Sequence, residues 1–283
     1  MVERRPWLTV FSHLVLILGV ASVALPVWLA LTAATHDSSA FVSGVTPLWF
    51  GDKGLSVFTE VLTEGTSREL NITVAGMLWN SFLMAMGISI GKLAISILSA
   101  YAVVYFRFPG RMLAFWIIFM TLMLPVEVRI IPTFQVIADL NMLNSMSGLT
   151  IPLIASATAT FFIPTVLYDR TGRDAGSGAY GWCRSVLNFF KDILLPLSRT
   201  NIAALFVITF IYGWNQYLWP ILITTDDEYY TIVMSIQRML SVGDGEVQWN
   251  RVMATTLMAM LPPVLVVLGM QKLFVKGLVE TEK

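Results

Sequence analysis

Seven residues of this 283-residue sequence have side chains suited to contact with a polar solute. They comprise a lysine within a long apolar run, an acid and a base two residues apart, and two amides between aromatic residues: Lys92, Glu127, Arg129, Trp214, Asn215, Gln216 and Tyr217. Such groups bind a solute through hydrogen bonds and charge and can release it unchanged. An ionisable residue inside an apolar run is by default a functional candidate. We therefore predict that these residues line a substrate pathway.

Each of these residues also has a structural interpretation. Lys92 can hydrogen-bond the carbonyl or serine groups of a neighbouring helix. Glu127 and Arg129 can form an ion pair at the end of a helix. The aromatic residues can lie at a membrane interface, and Asn215 and Gln216 can hold two helices together. The sequence leaves both interpretations open in all three places.

The sequence has no recognisable catalytic or metal-binding motif. It contains no nucleotide-binding loop of the G-x-x-x-x-G-K-[ST] type and no G-x-S-x-G or H-E-x-x-H motif. Cys183 is the single cysteine, and His13 and His36 are the only histidines, so no set of ligands has the spacing of a metal site. A membrane-embedded enzyme would need clustered catalytic groups, whereas the apolar segments offer Lys92 essentially alone. We predict that this chain is not an enzyme and binds neither a metal nor a cofactor.

The composition is that of a protein that lies largely within a lipid bilayer. Hydrophobic residues make up 56% of the chain and charged residues 13%, and the mean hydropathy is +0.73. A soluble domain of this composition lacks the polar groups to cover its own surface. The formal net charge is zero, which gives no electrostatic basis for binding nucleic acid.

Six apolar segments are long enough to cross a membrane as helices. They span residues 14–35, 77–105, 112–131, 149–168, 202–223 and 253–275. With the N-terminus in the cytoplasm, the inner segments contain twelve Lys and Arg residues and the outer loops five, in agreement with the positive-inside rule. We therefore predict an all-α, polytopic membrane protein with a single transmembrane domain over residues 1–283.

Several longer motifs carry a resemblance to a known family. They are Phe106-Arg107-Phe108-Pro109, TLMLPVEVRI at 121–130, ASATATF at 155–161, AALFVITFIYGWNQYLWP at 203–220 and FVKGLVE at 274–280. With these motifs the whole chain resembles the maltose-type (type I) permeases of ATP-binding-cassette (ABC) importers. Within that family it is most similar to the second permease subunits of bacterial sn-glycerol-3-phosphate importers.

The resemblance implies a type I ABC importer permease fold and a role in transport. It implies a heterodimer with a second permease, two ATPase subunits that use ATP in the cytoplasm, and a periplasmic binding protein that delivers the solute. The implied location is the bacterial inner membrane, and the implied substrate is sn-glycerol 3-phosphate. A permease of another carbohydrate importer is the alternative, and the solute retained by the neighbouring binding protein distinguishes the two.

The cytoplasmic region at about 169–200 departs from the family pattern. Permeases of this kind couple to their ATPase through a helix and loop that contain Glu-Ala-Ala, a later Gly and an Ile-x-x-Pro-like ending. The ending is retained here, and the resemblance assigns ATPase coupling to Asp192, Ile193, Leu195 and Pro196. Residues 163–188 read IPTVLYDRTGRDAGSGAYGWCRSVLN and contain no Glu-Ala-Ala.

A shift of the reading frame would explain this departure from the family pattern. Codons permitted for residues 163–186 can be chosen so that reading one base later gives FRQFFMTVPDEMLEAARMDGAGPF, which contains the missing element. Agreement between the shifted frame and the expected coupling element over more than twenty consecutive codons is improbable by chance. We hypothesise a compensated frameshift over 163–188, in the gene or in its sequencing. The DNA of this region tests the hypothesis directly.

Overall fold

The structure of the chain is a computed structural model. It describes residues 6–41, 48–64, 72–105, 109–110, 112–113, 116–117, 120, 126–155, 191, 195–241 and 247–280. The described helices are α1 (Pro6–Ala34), α2 (Ser56–Thr63), α3 (Val74–Tyr105), α4 (Val126–Asp139), α5 (Met146–Ile154), α6 (Leu195–Trp214), α7 (Leu218–Ile223), α8 (Ile232–Leu240) and α9 (Trp249–Glu280). Short 3-10 turns lie at Ser38–Phe41 and Asp227–Tyr229. The described residues contain no strand, so the prediction of an all-α protein is confirmed.

Three of these helices are long and apolar enough to cross a membrane. The candidate spans within the described residues are Trp7–Ala34, Val74–Ser99 and Trp249–Gln271. Because a helix rises about 1.5 Å per residue, each of them exceeds the roughly 30 Å of a hydrocarbon core. Most side chains of α1 are exposed, which suits a helix whose surroundings are lipid tails.

Several predicted segments lie partly or wholly outside the described residues. The third and fourth predicted spans, 112–131 and 149–168, are described only in part. Asp192 and Ile193 lie outside, as does the whole of 163–188. The count of six spans, the single transmembrane domain and the frameshift therefore stay predictions.

One compact unit comprises Met1–Met77 and Ser235–Leu261. The segment that follows α1 is anchored at Thr35, whose carbonyl accepts a hydrogen bond from the Lys53 N–H at 3.1 Å. The Lys53 ammonium lies 2.8 Å from a carboxylate oxygen of Asp37. The hydrogen bond from Lys53 lowers the pKa of the Asp37 carboxyl below its usual value of 3.8, because it favours the charged form.

The connection between the first and second predicted spans contains a packed helix, α2. Val57 and Val61 on one face of α2 are fully buried, and burial of apolar side chains is what holds a short helix in place. A guanidinium nitrogen of Arg251 on α9 lies 3.9 Å from the Glu60 carboxylate. This part of the connection therefore belongs to the folded unit.

The other compact unit comprises Leu78–Met234 and Pro262–Lys283. Its core consists of buried apolar side chains from α3, α4, α5 and α7: Met84, Ile88, Ile137, Leu149, Leu153, Trp219 and Ile223. The indole N–H of Trp219 donates to the Gly148 carbonyl at 3.1 Å, which satisfies the polar atom of the largest core side chain. Helix α5 begins at Ser145, whose hydroxyl accepts a hydrogen bond from the Gly148 N–H at 3.0 Å.

Helix α4 continues to Asp139, beyond the end of the third span predicted at residue 131. The chain then turns through Asn141 and Asn144, whose φ angles are 53° and 50°, a left-handed conformation that Asn tolerates better than most residues. The Asn144 side-chain oxygen accepts hydrogen bonds from the backbone N–H groups of Thr225 at 2.7 Å and Asp226 at 3.2 Å. These bonds join the turn after α4 to the segment that follows α7.

Candidate functional site

Helices α3 and α6 approach each other closely at Gly213. A Cβ atom at this position would lie 3.0 Å from the Ala85 Cα and 3.4 Å from the Ile88 Cδ1. The rings of Phe82 and Phe210 pack edge to face beside it, with their centroids 6.3 Å apart. The absence of a side chain at Gly213 therefore allows the close approach of the two helices that carry Lys92 and Trp214.

The ammonium of Lys92 lies 3.7 Å from the centroid of the Tyr212 ring on α6. Lys92 is only 5% exposed, and it lies about 27 Å along the helix axis from Val74 and about 20 Å from Tyr105. The attraction between a cation and an aromatic face reaches about 2 kcal/mol where water is excluded. This contact gives Lys92 a structural partner that the sequence did not indicate. The sequence signal for Tyr212 is limited to its place in the aromatic motif beside Gly213.

Buried serines lie on the face of α3 that carries Lys92. Ser81, Ser89 and Ser96 follow helical spacing relative to Lys92 and are all buried. The Ser81 hydroxyl accepts a hydrogen bond from the Ile232 N–H at 2.7 Å, and the Ser89 hydroxyl donates to a carbonyl of its own helix at 2.6 Å. The Ser96 hydroxyl has no hydrogen-bond partner among the described residues.

Arg129 lies near the beginning of α4, next to Ile130, which packs against the core of its unit. Its side chain is exposed. The sequence predicts that Glu127 and Arg129 line the pathway or form an ion pair at the end of a helix. Helix α4 extends about 15 Å from Arg129 to Asp139, so Arg129 is well separated from the turn that ends this helix. The side chain of Glu127 lies outside the described part of the chain.

Trp214 is a buried residue at the end of α6. It is 2% exposed, and its ring stacks on that of Phe210 with a centroid distance of 5.9 Å. Phe206 stacks on Phe210 in turn, at 6.0 Å, so the three rings form a column along one face of the helix. This placement favours a role for Trp214 in packing.

Asn215, Gln216 and Tyr217 form the break between α6 and α7. The Gln216 side-chain amide donates to the Tyr212 carbonyl at 3.0 Å, which satisfies an acceptor left free at the end of a helix. Asn215 and Tyr217 are exposed, and the side-chain amide of Asn215 forms no hydrogen bond with a described residue. Within this segment, Asn215 and Tyr217 are the side chains open to a solute or to another subunit.

Leu195 and Pro196, the described part of the predicted coupling element, begin helix α6. Both are exposed. Proline suits the first turn of a helix, where its missing N–H would have no partner within the helix. The structure thus places the end of the predicted coupling element at the start of the helix that carries Tyr212 and Gly213.

Asn80 and Ser81 form further polar contacts that were not predicted from the sequence. The Asn80 amide donates to the carbonyls of Glu228 at 2.6 Å and Tyr230 at 3.1 Å. The adjacent Ser81 accepts the hydrogen bond from Ile232. The signal in the sequence is a pair of polar residues near the start of an otherwise apolar helix, and a pattern of this kind does not identify its distant partner.

We expect Ser81→Ala to lower the thermal stability of the purified chain. The substitution leaves the buried Ile232 N–H without its acceptor, which costs about 1–3 kcal/mol. Ser89→Ala is the matched control, because the Ser89 hydroxyl bonds only a carbonyl within its own helix. Melting curves in detergent should show a lower Tm for Ser81→Ala alone. Equal Tm values for the two variants would contradict the assigned role of Ser81.

Comparison with known proteins gives full-length matches. The chain is 50% identical to the sn-glycerol-3-phosphate transport system permease protein UgpE of Shigella dysenteriae serotype 1 over 290 aligned positions, which cover 100% of both chains. With the same coverage it is 49% identical to the UgpE of Escherichia coli K12 and 48% identical to that of Brucella melitensis biotype 1. No protein-family model matches the chain.

A solved structure has the same fold. It is a chain from the crystal structure of a bacterial ABC transporter involved in the import of the acidic polysaccharide alginate. The TM-score is 0.72 at 16% sequence identity, and the match covers 96% of this chain and 98% of that one. The prediction of an ABC importer permease fold is therefore confirmed. With the full-length identity of about half to the curated relatives, the chain belongs to the family of the sn-glycerol-3-phosphate transport system permease proteins UgpE.

Proposed function

We propose that this chain is the transmembrane permease subunit of an ABC importer that moves sn-glycerol 3-phosphate across the inner membrane. The observation that carries the proposal is the identity of 48–50% to UgpE proteins over the full length of both chains. The fold shared with an ABC importer chain supports the same role.

The proposed importer contains further subunits. A second permease pairs with this chain, two ATPase subunits hydrolyse ATP in the cytoplasm, and a periplasmic binding protein delivers the solute. This chain itself carries out no chemistry. Its part is to open alternately to the two sides of the membrane as the ATPases close and open.

The substrate pathway is proposed to include Lys92, Glu127, Arg129, Asn215 and Tyr217. Lys92 supports this assignment as a cation deep in an apolar helix, which is a costly position that a structural role alone seldom retains. Asn215 and Tyr217 support it because both are exposed. Trp214 and Gln216, predicted for the same pathway, are assigned a packing and a capping role here.

Uptake of labelled solute tests the proposed function. Cells that lack their own importer would be supplied with this chain and its cognate partners. The chain would be used both as written and with the shifted-frame peptide in place of residues 163–186. We expect ATP-dependent uptake of sn-glycerol 3-phosphate by at least one of the two forms and no uptake of maltose. Uptake of a sugar instead of glycerol 3-phosphate would establish the alternative, a carbohydrate importer.

A further inference from the structure

A short segment after α1 folds back along the end of that helix, within one compact unit. The indole N–H of Trp28 donates to the Leu48 carbonyl at 3.1 Å. Further along the segment, the Lys53 N–H donates to the Thr35 carbonyl at 3.1 Å. Residues 48–53, which we call the return segment, therefore run beside α1 from the level of Trp28 to the level of Thr35.

Gly51 holds the middle of the return segment against the end of α1. Its N–H donates to the Thr35 hydroxyl at 2.8 Å. A Cβ atom on Gly51 would lie 2.7 Å from the Thr35 carbonyl oxygen and 2.7 Å from a ring carbon of His36, so a larger residue would push the two segments apart. The return segment is thus held beside α1 at both of its ends and in its middle.

The first three residues of the return segment, Leu48, Trp49 and Phe50, are apolar and exposed. Trp49 is 76% exposed, and Leu48 and Phe50 each expose more than half of their surface. The Phe50 ring packs edge to face on Trp28, with the ring centroids 5.4 Å apart. Exposed apolar side chains that lie together mark a surface that contacts a protein or a membrane.

The end of the return segment is charged. Asp52 is exposed, and the Lys53 ammonium lies 2.8 Å from the Asp37 carboxylate. The return segment therefore changes from apolar to charged as it passes from the level of Trp28 towards the end of α1. A membrane surface has the same order, from hydrocarbon through headgroups to water, whereas contact with a protein requires no such order.

The depth of each residue in a bilayer agrees with this change in polarity. The candidate span Trp7–Ala34 has its midpoint between residues 20 and 21. With this midpoint at the bilayer centre, Trp28 lies about 11 Å and Thr35 about 22 Å from the centre, at about 1.5 Å per residue. The hydrocarbon core ends about 15 Å from the centre and the headgroup region at about 20–22 Å. The apolar part of the return segment therefore lies near the boundary between hydrocarbon and headgroups, and Lys53 lies at the water side.

The surface of α1 continues this apolar surface towards the middle of the membrane. Each side chain from Trp7 to Trp28 is exposed, and this helix is a candidate membrane span. The apolar part of the return segment widens the same surface at one end of the helix. Both features favour lipid as the molecule that contacts residues 48–50.

We propose that residues 48–50 form a membrane-interface anchor, which inserts between lipid headgroups and acyl chains beside the end of α1. Trp and Phe suit this boundary, because their rings are largely apolar and the indole N–H can still reach a polar partner. Interfacial aromatic residues help to set the depth and tilt of a membrane helix, and here they would do so for α1. The inference does not depend on the solute that the importer carries.

Site-directed spin labelling tests the depth of the anchor. A chain without Cys183 receives a single new cysteine by Leu48→Cys, which is labelled with a nitroxide while Trp49 and Phe50 stay in place. Collisions of the label with oxygen, which concentrates in lipid, are compared with its collisions with a water-soluble nickel complex.

Two further labelled chains supply the references for depth. Leu18→Cys, at an exposed position near the middle of α1, gives the lipid reference. Asp52→Cys, at the charged end of the return segment, gives the aqueous reference. All measurements use the full chain in vesicles of phosphatidylethanolamine and phosphatidylglycerol, both alone and assembled with cysteine-free forms of its cognate importer subunits.

We expect the label at Leu48→Cys to meet oxygen several times more often, relative to the nickel complex, than the label at Asp52→Cys. Its depth should fall between the two references, and the partner subunits should not change it. The additional pair of substitutions Trp49→Gln and Phe50→Gln should move the label towards water, because the amide side chains do not favour the interface. Leu55→Gln is the matched control, since Leu55 is exposed and apolar but follows the charged end of the return segment. It should leave the depth of the label unchanged.

Three results would overturn the proposal. Collisions with the nickel complex that are as frequent at Leu48→Cys as at Asp52→Cys would show that the segment lies in water. Loss of both kinds of collision after assembly with the partner subunits would show that a protein covers this surface. An unchanged depth after Trp49→Gln and Phe50→Gln would show that α1 alone holds the segment at this level and that its aromatic residues are not an anchor.

Discussion

Replacement of residues 163–186 by the shifted-frame peptide is expected to give ATP-dependent uptake that the chain as written does not support. The written segment contains Gly172, Gly176, Gly178 and Gly181. In a helix interior each of these costs about 1 kcal/mol relative to Ala, so a rigid coupling helix is disfavoured. The shifted-frame peptide supplies the Glu-Ala-Ala element instead. Uptake of labelled sn-glycerol 3-phosphate should rise from background to a measurable initial rate.

The control for this replacement is a chain in which the same residues are replaced by a Gly- and Ser-rich linker of equal length. It should insert into the membrane to the same extent and support no uptake. The genomic DNA gives an independent test, because its shifted frame should encode the peptide. If the chain as written transports as fast as the restored chain, the hypothesis of a frameshift that disrupts coupling is wrong.

Gly213→Leu is expected to cause a large loss of stability. A Cβ atom alone would lie 3.0 Å from the backbone of α3 at Ala85, and a leucine adds three further carbon atoms. Overpacking of this kind costs about 1–3 kcal/mol, and more where backbone must move. Separation of α3 from α6 would also remove Lys92 from the Tyr212 ring. Both the Tm in detergent and the rate of uptake should fall.

Gly269→Leu is the matched substitution. Gly269 lies in the apolar part of α9, and a Cβ atom there would meet nothing within 4 Å. A leucine at this exposed position of a membrane helix should leave the Tm and the uptake rate near those of the unmodified chain. A Tm for Gly213→Leu that matches the control would mean that α3 and α6 are not in close contact at Gly213.

The long helices of the fold could be predicted from the sequence. Apolar runs at 14–35, 77–105 and 253–275 indicated the helices found at Pro6–Ala34, Val74–Tyr105 and Trp249–Glu280. A long apolar run can be recognised from its own residues, because hydrogen bonds within the same helix satisfy its backbone polar groups in lipid. The short helix α2 gave no such signal. The burial of Val57 and Val61 could not be predicted from the sequence, because it depends on the residues that pack over them.

The candidate site was predicted only in part. The sequence identified Lys92 and Arg129 as candidates, since a charged residue in or near an apolar run can be recognised from the sequence alone. It could not indicate that Tyr212 lies over the Lys92 ammonium or that Trp214 is buried in a column of rings. Side chains on different helices meet according to the relative rotation and spacing of those helices, which here depend on one glycine at residue 213.

The sequence by itself determined that this chain is an all-helical membrane protein, and its resemblance to ABC importer permeases indicated the family. Hydropathy, helix length and the positive charge near the ends of spans can each be determined from the residues of one segment. Only the tertiary structure decided which residues meet. It brought Tyr212 to Lys92, Asn144 to the segment after α7, and the Ser81 hydroxyl to the Ile232 N–H. Each of these contacts joins residues far apart in the chain. The close packing of separate helices therefore determines these contacts, and the conformational preferences of the individual residues do not.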